Sequence, residues 1–175
     1  GRGVHYCATC DGAFYRDKTL AVVGGGNSAI QEAIFLTRFA SHIDLLVRST
    51  IKASEVLQHE LQEYIENGKI TVHLSTSTDE IAATDGKVSS VKITENGEQK
   101  ELTVDGVFIF VGLKPNTQFL QGSKVDLDVS GLVKTDALLE TSMPGVFASG
   151  DVRSGATMQI ASAVGEGASA ALAIR

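Results

Sequence analysis

The chain has 175 residues, 43% of them hydrophobic, and carries 15 basic and 21 acidic side chains for a net charge of −6. That length suits one domain, or one domain and part of a second. The acidic balance argues against nucleic acid as a main partner. No apolar run reaches membrane-spanning length and no stretch reads as a signal peptide, so the expected setting is cytoplasmic, with no membrane partner.

The first clear element is Thr19-Leu20-Ala21-Val22-Val23, a short apolar run that ends in Gly24-Gly25-Gly26 and reads as a buried parallel strand. Asn27 or Ser28 is positioned to cap the helix that follows, whose apolar face holds Ile30, Ala33 and Ile34. Ile43 to Val47 reads as a second strand. Ser54 to Glu66 reads as a second helix, with Leu57, Leu61, Tyr64 and Ile65 at helical spacing and Asn67-Gly68 as its stop.

The pattern then changes. Residues 71–74, 88–94 and 99–104 are short and partly alternating, and Asp85-Gly86 and Asn96-Gly97 are strong hairpin turns. Gly106 to Val111 is continuously apolar and returns to the parallel sheet. The expected fold class is α/β: a Rossmann-like three-layer dinucleotide-binding domain with an antiparallel β-meander, over residues 1–112. Beyond the break at Pro115-Asn116, only a lone strand at Val146-Phe147-Ala148 and a small-residue helix from Ile160 to Arg175 stand out. One strand and one helix cannot bury a core. Residues 113–175 therefore read as part of a second domain whose other half is absent, and a chain that begins on Gly1 rather than Met fits that expectation.

Three groups of residues bear chemistry. The only cysteines are Cys7 and Cys10, in Cys7-Ala8-Thr9-Cys10. A structural zinc site needs four ligands, and the histidines are scattered at His5, His42, His59 and His73; no fourth ligand is evident, and no metal is expected. A redox dithiol remains, beside the plainer reading of a buried pair next to a turn-forming Asp11-Gly12. Cysteines spaced this way close and reopen a small disulfide, and a carboxyl group at Asp11 is placed to exchange protons with it. Next, Gly24-Gly25-Gly26-Asn27-Ser28-Ala29 fits the G-x-G-x-x-A dinucleotide fingerprint in its required place between strand and helix. Gly24 permits the tight turn, Gly26 admits the pyrophosphate, and Ala29 keeps the helix near the sheet. Last, where an NAD site carries an acidic residue at the end of the second strand, this chain has Arg48, then Lys52. Cations there suit the 2′-phosphate of NADPH; the alternative is a pair of ordinary solvated charges.

In combination these segments are specific. The stretch from Gly1 to Ala29, GRGVHYCATCDGAFYRDKTLAVVGGGNSA, resembles the redox and nucleotide segment of low-molecular-weight bacterial thioredoxin reductases. Pro144 to Val152, PGVFASGDV, is similar to that family's second FAD motif, and Gln159 with SAVGEGASAA (Ser162 to Ala171) is similar to its C-terminal helix.

The resemblance implies a two-domain flavoprotein, homodimeric when full length, that passes electrons from NADPH through FAD to a disulfide and on to thioredoxin or a thioredoxin-like protein. It implies that Cys7 and Cys10 are the disulfide and Asp11 the acid. It places Gly24, Gly26, Asn27, Ser28 and Ala29 at the pyrophosphate turn, Arg48 and Lys52 at the NADPH phosphate, Gly150 and Asp151 at the flavin's ribityl and phosphate region, and Gln159 near the isoalloxazine. Residues 113–175 become the C-terminal portion of the FAD domain. With the N-terminal FAD half absent, the isolated chain is expected to bind nicotinamide dinucleotide and to hold no FAD. Two positions depart from the family pattern. Its His-Arg-Arg clamp with a later Arg reads Val47-Arg48-Ser49 with Lys52, and its Arg-Gln-Ala reads Met158-Gln159-Ile160. Two other functions fit parts of the pattern: the flavoprotein subunit of an alkyl hydroperoxide reductase, and a non-catalytic nucleotide-binding redox module.

Overall fold

Strand Thr19–Val23 (β2) alternates between two cores, which is why its sequence shows no polar face. In the computed structural model, which describes residues 2–174, Leu20 and Val22 join a cluster with Ile30, Ala33, Ile43, Leu45, Leu61 and Phe108, while Ala21 joins Leu46, Val91, Ile93, Val104 and Val107. A sheet covered on both faces needs apolar side chains in both directions. Each large side chain buried completely here contributes about 1.5–3 kcal/mol of transfer free energy.

The sheet is parallel and five-stranded. β1 is Val4–His5, β3 is His42–Leu46, β4 is Ile70–His73 and β8 is Gly106–Ile109, in spatial order β1-β8-β2-β3-β4. One face carries α2 (Asn27–Leu36) and α3 (Glu55–Glu66). The other carries an antiparallel meander of β5 (Thr76–Thr84), β6 (Lys87–Glu95) and β7 (Glu98–Thr103). Helix, sheet and meander make the three expected layers. Both hairpin turns form as their residues dictate, with φ of 52° and 73° at Asp85-Gly86 and 51° and 88° at Asn96-Gly97. Two consecutive left-handed residues give the turn whose twist matches that of its strands.

Three expectations require correction. Residues 71–74 are not the first strand of the meander: Ile70–His73 pairs parallel with β3 at the sheet edge. An edge strand is half-solvated, so its pattern looks like that of a surface strand. The first meander strand is the polar Thr76–Thr84. Second, neither Asn27 nor Ser28 caps α2; the cap is Gly26, with no side-chain hydrogen bond. Asn27 instead accepts the Ser54 N–H through Oδ1 at 2.8 Å, tying the start of α2 to the start of α3. Third, no strand forms at 146–148. Phe147 makes only an isolated bridge to Glu140. Asp136 accepts the Leu138 and Glu140 N–H groups through Oδ1 on the partner side, which turns the chain and leaves no room for a ladder.

The structure divides into two units, Gly1–Gly112 and Leu113–Arg175. In the second, α4 (Ile160–Ala173) is anchored by Glu166, which accepts the Gly150 N–H at 2.8 Å and pairs with the Arg153 guanidinium. α4 leaves Ile160, Val164 and Leu172 largely exposed. Among the described residues no helix is long and apolar enough to cross a membrane.

Sheet and meander are joined by a charged clamp. His73 on β4 meets Asp44 on β3 through Nε2 at 2.8 Å and Glu95 on β6 through Nδ1 at 3.0 Å. His42 lies 3.8 Å from the same Asp44 oxygen, and Lys100 pairs with Glu95. A carboxylate at each ring nitrogen calls for the imidazolium. The Asp44 hydrogen bond, then Glu95, outweighs burial and raises the His73 pKa. Lys100 and then His73 lower that of Glu95. A group whose folded pKa is raised stabilises fully below its unfolded value, here about 6.5, and loses that contribution as pH climbs through the folded value. Comparing wild type with His73→Gln by denaturant unfolding should therefore show a gap that is widest in mild acid and closes as pH rises. A gap that widens with pH would show that His73 is neutral.

Candidate functional site

The Cys-x-x-Cys segment leaves β1 and enters a single turn, α1 (Ala8–Asp11), with Cys7 as its N-cap. Cys7 and Cys10 are disulfide-bonded, their Cα atoms 5.3 Å apart. Cys7 is half-buried and Cys10 exposed. The Cys10 N–H points at Cys7 Sγ from 3.2 Å and the Thr9 hydroxyl lies 3.4 Å from it. A negative charge formed on Cys7 by reduction thus has two donors waiting. Asp11 closes the same turn, its carboxylate 2.9 Å from His5 Nδ1. α1 packs close to α2 because Gly12 is bare: a Cβ there would stand 2.8 Å from Leu36 Cδ2.

Two strands away, at the carboxyl edge of the same sheet, lies a cleft of about 750 Å³. Its floor is the turn Gly24–Ser28 between β2 and α2. One wall is Val47 to Lys52 after β3, and others come from Thr76–Thr78 and Phe110–Gly112. Gly24, at φ 143°, has no space for a side chain; a Cβ would sit 2.3 Å from the Phe110 carbonyl oxygen and 2.8 Å from Ala29 Cβ. Gly26 is the opposite case, with no atom within 4 Å of where its Cβ would be. Ala29 is completely buried behind the turn. This is the pattern the fingerprint requires: crowding at the first glycine and at the small residue, open space at the second glycine. The first amides of α2 have no side-chain cap, and orphan amides at a helix start receive anions.

The structure brings Gly24, Gly26, Asn27, Ser28, Arg48 and Lys52 into this one cleft. Arg48 and Lys52 have exposed side chains. The loop that carries them is fixed to the glycine turn by its backbone, through the Lys52 N–H to the Gly25 carbonyl at 2.6 Å. Asp44 faces away from the cleft, in the His73 clamp. Cys7, Cys10 and Asp11 form their own group on the far side of β8. In the second unit Gly150, at φ 74°, begins a short turn with exposed Asp151, held to α4 by Glu166. Gln159 is the exposed, uncapped N-terminus of α4.

Residues 1–167 match the family model described as pyridine nucleotide-disulphide oxidoreductase. The chain belongs to this oxidoreductase family. Among curated members, the thioredoxin reductase of Coxiella burnetii is 39% identical over 98% of the chain and 56% of the relative, and that of Bacillus subtilis 38% over 100% and 55%. The crystal structure of thioredoxin reductase from Streptococcus pyogenes superposes with a TM-score of 0.87 at 41% identity, over 99% of the chain and 56% of that protein. Thioredoxin reductase from Giardia duodenalis gives 0.81 at 31%, over 98% and 56%. The chain spans about half the length of the curated relatives it matches.

Sequence reasoning missed three side chains of these two groups, the cleft and the disulfide turn. Thr78 is one of the residues around the cleft, its hydroxyl buried and without a partner among the described residues, and it lay in a strand too polar to recognise. His5 entered only as a zinc-ligand candidate near the cysteine pair, and Tyr15 not at all. His5 Nε2 lies 2.6 Å from the Tyr15 hydroxyl.

Proposed function

We propose that the chain is the nucleotide-binding and dithiol portion of a flavoprotein disulfide reductase that passes electrons from NADPH through FAD to Cys7–Cys10 and on to thioredoxin or a thioredoxin-like protein. Residues 1–112 are the NADPH and redox-disulfide domain, and residues 113–175 the C-terminal portion of the FAD domain. The observation that carries this reading is the shared carboxyl edge. The strand order β1-β8-β2 sets the disulfide turn and the glycine turn two strand spacings apart, about 10 Å. The names of the relatives supply thioredoxin as the acceptor. A cytoplasmic setting, and a homodimer when the FAD domain is complete, go with it.

The residues present fit both cofactors. For the nucleotide there are the free α2 amides, the open side of Gly26 and two cations. For FAD there are the Gly150-Asp151 turn and the uncapped start of α4 at Gln159. When bound, the nicotinamide supplies a hydride and the flavin a two-electron relay. The chain supplies the rest. Gly26, Asn27 and Ser28 hold the pyrophosphate with Ala29 packed behind them, and Arg48 and Lys52 hold the 2′-phosphate. Gly150 and Asp151 hold the ribityl and phosphate region, and Gln159 orients the ring. Asp11 is the acid beside the thiolate released when the disulfide opens. The dithiol and the nicotinamide both need the same ring, and the thiols must also reach a protein partner. Gly112 to Asn116, where the two units divide, is the hinge this demands.

Titration of the chain with NADPH and NADH tests the nucleotide half of the reading. NADPH should bind more tightly. Arg48→Ala should weaken NADPH about tenfold or more and leave NADH nearly unchanged, because one charge-assisted contact contributes about 1.5–3 kcal/mol. Equal affinities in the wild type would show that Arg48 and Lys52 are ordinary surface charges.

A further inference from the structure

The β1–β8 register opposes His5 to Phe108 and builds a small polar chain behind the disulfide. His5 is buried and stacks on Phe108, their centroids 5.0 Å apart, with the Tyr15 ring edge-on to both. Tyr15 reaches this position because Gly106 is bare; a Cβ there would be 2.6 Å from Tyr15 Cε1. The result is a line of contacts: Tyr15 hydroxyl to His5 Nε2 at 2.6 Å, and His5 Nδ1 to Asp11 Oδ2 at 2.9 Å. Asp11 follows Cys10 directly. The other charges near Tyr15 are Asp105 and its partner Lys18.

We propose that His5, held by Tyr15, is the positioning residue of Asp11 in the dithiol chemistry. The inference rests on the reading of Cys7–Cys10 as a working dithiol with Asp11 as its acid. A dithiothreitol thiolate attacks one sulfur and the other leaves as a thiolate; Asp11 hands that thiolate a proton and recovers one from water, so each thiol made draws one proton from solvent. The Tyr15 hydroxyl donates to His5 Nε2, which keeps the His5 proton on Nδ1, where it donates to the Asp11 carboxyl group. Burial, then Asp11 and Asp105, raise the Tyr15 pKa, so its hydroxyl stays a donor at neutral pH. His5 is held between the face of Phe108 and the edge-on ring of Tyr15 and has hydrogen-bond partners at both nitrogens. It fixes the Asp11 carboxyl, which is otherwise one-third exposed.

The test uses dithiothreitol as the reductant of Cys7–Cys10, with no nucleotide or flavin, and follows the rate against pH. Asp11→Asn and His5→Ala should each slow reduction about tenfold near neutrality, and the double variant should be no slower than either. The ratio of wild type to variant should approach one as pH rises and the leaving thiolate no longer needs a proton. His5→Asn places an amide N–H where Nδ1 stood and should recover most of the rate. His5→Gln reaches only toward Tyr15 and should not. The two amide variants keep the comparison valid where the alanine variant melts. Multiplying losses in the double variant overturn the proposal, as do equal rates for His5→Asn and His5→Gln, or an Asp11→Asn chain as fast as wild type. A chain whose disulfide exchanges with thioredoxin but passes none of these tests would leave the disulfide-reductase reading standing.

Discussion

Cys7→Ser or Cys10→Ser is expected to abolish the transfer of reducing equivalents from this chain to thioredoxin. The experiment needs no flavin. The chain is reduced with dithiothreitol, freed of it and mixed with oxidised thioredoxin, and thioredoxin thiols are counted. On the proposed function, one wild-type thiolate attacks the thioredoxin disulfide and the neighbouring thiol resolves the mixed disulfide. The chain then regains the bond seen between Cys7 and Cys10, and thioredoxin leaves as a dithiol. With one cysteine left, the first step has no resolving partner, so the reaction stops at a mixed disulfide visible on a non-reducing gel. A single-cysteine variant that produced thioredoxin dithiol at the wild-type rate would remove this pair from the mechanism.

Gly24→Ala should be the most damaging substitution in the nucleotide turn. The added methyl meets the Phe110 carbonyl oxygen at 2.3 Å and Ala29 Cβ at 2.8 Å, and φ is 143°. Neither neighbour is the end of a flexible side chain. Left-handed strain and overpacking together cost about 2–5 kcal/mol, a large part of a domain's stability. Denaturant unfolding should show the loss, and dinucleotide binding should fall with it. Gly26→Ala is the control. With no atom within 4 Å of the new methyl, stability should change by less than about 1 kcal/mol. Binding should nevertheless weaken, because the methyl takes the space left for the pyrophosphate. If Gly24→Ala folded with wild-type stability, the close approach of β2, β8 and α2 at this turn would be wrong.

The parts of the fold that could be read in the sequence are those where one physical signal dominates. β2 is covered on both faces, so it is apolar throughout, and its bounds of Thr19–Val23 follow from the pattern. The two hairpin turns were legible because Asp-Gly and Asn-Gly pairs strongly favour two consecutive left-handed residues. What escaped was set by tertiary context. Thr76–Thr84 is a strand because β6 supplies its ladder, although its own residues are small, polar and mostly outward-facing. Val4–His5 is two residues long and exists through pairing with β8. Val146–Ala148 had strand-forming residues and no continuous partner. At the site, Gly24, Gly26 and Arg48 could be named because short-range spacing carries them. His5, Tyr15 and Gly106 meet only through the β1–β8 register, a pairing across about a hundred residues that local pattern does not encode.

Asn27 and the Lys52 N–H stitch the 48–54 loop to the glycine turn by its main chain, while the side chains of Arg48, Ser49 and Lys52 stand in solvent. This arrangement separates grip from taste. In the proposed function the pyrophosphate is held by backbone atoms that no substitution can remove, and the choice between two coenzymes is left to the side chains of Arg48 and Lys52. A lineage can therefore exchange one coenzyme for the other through a few point changes here, each nearly neutral for folding, without passing through a form that binds neither.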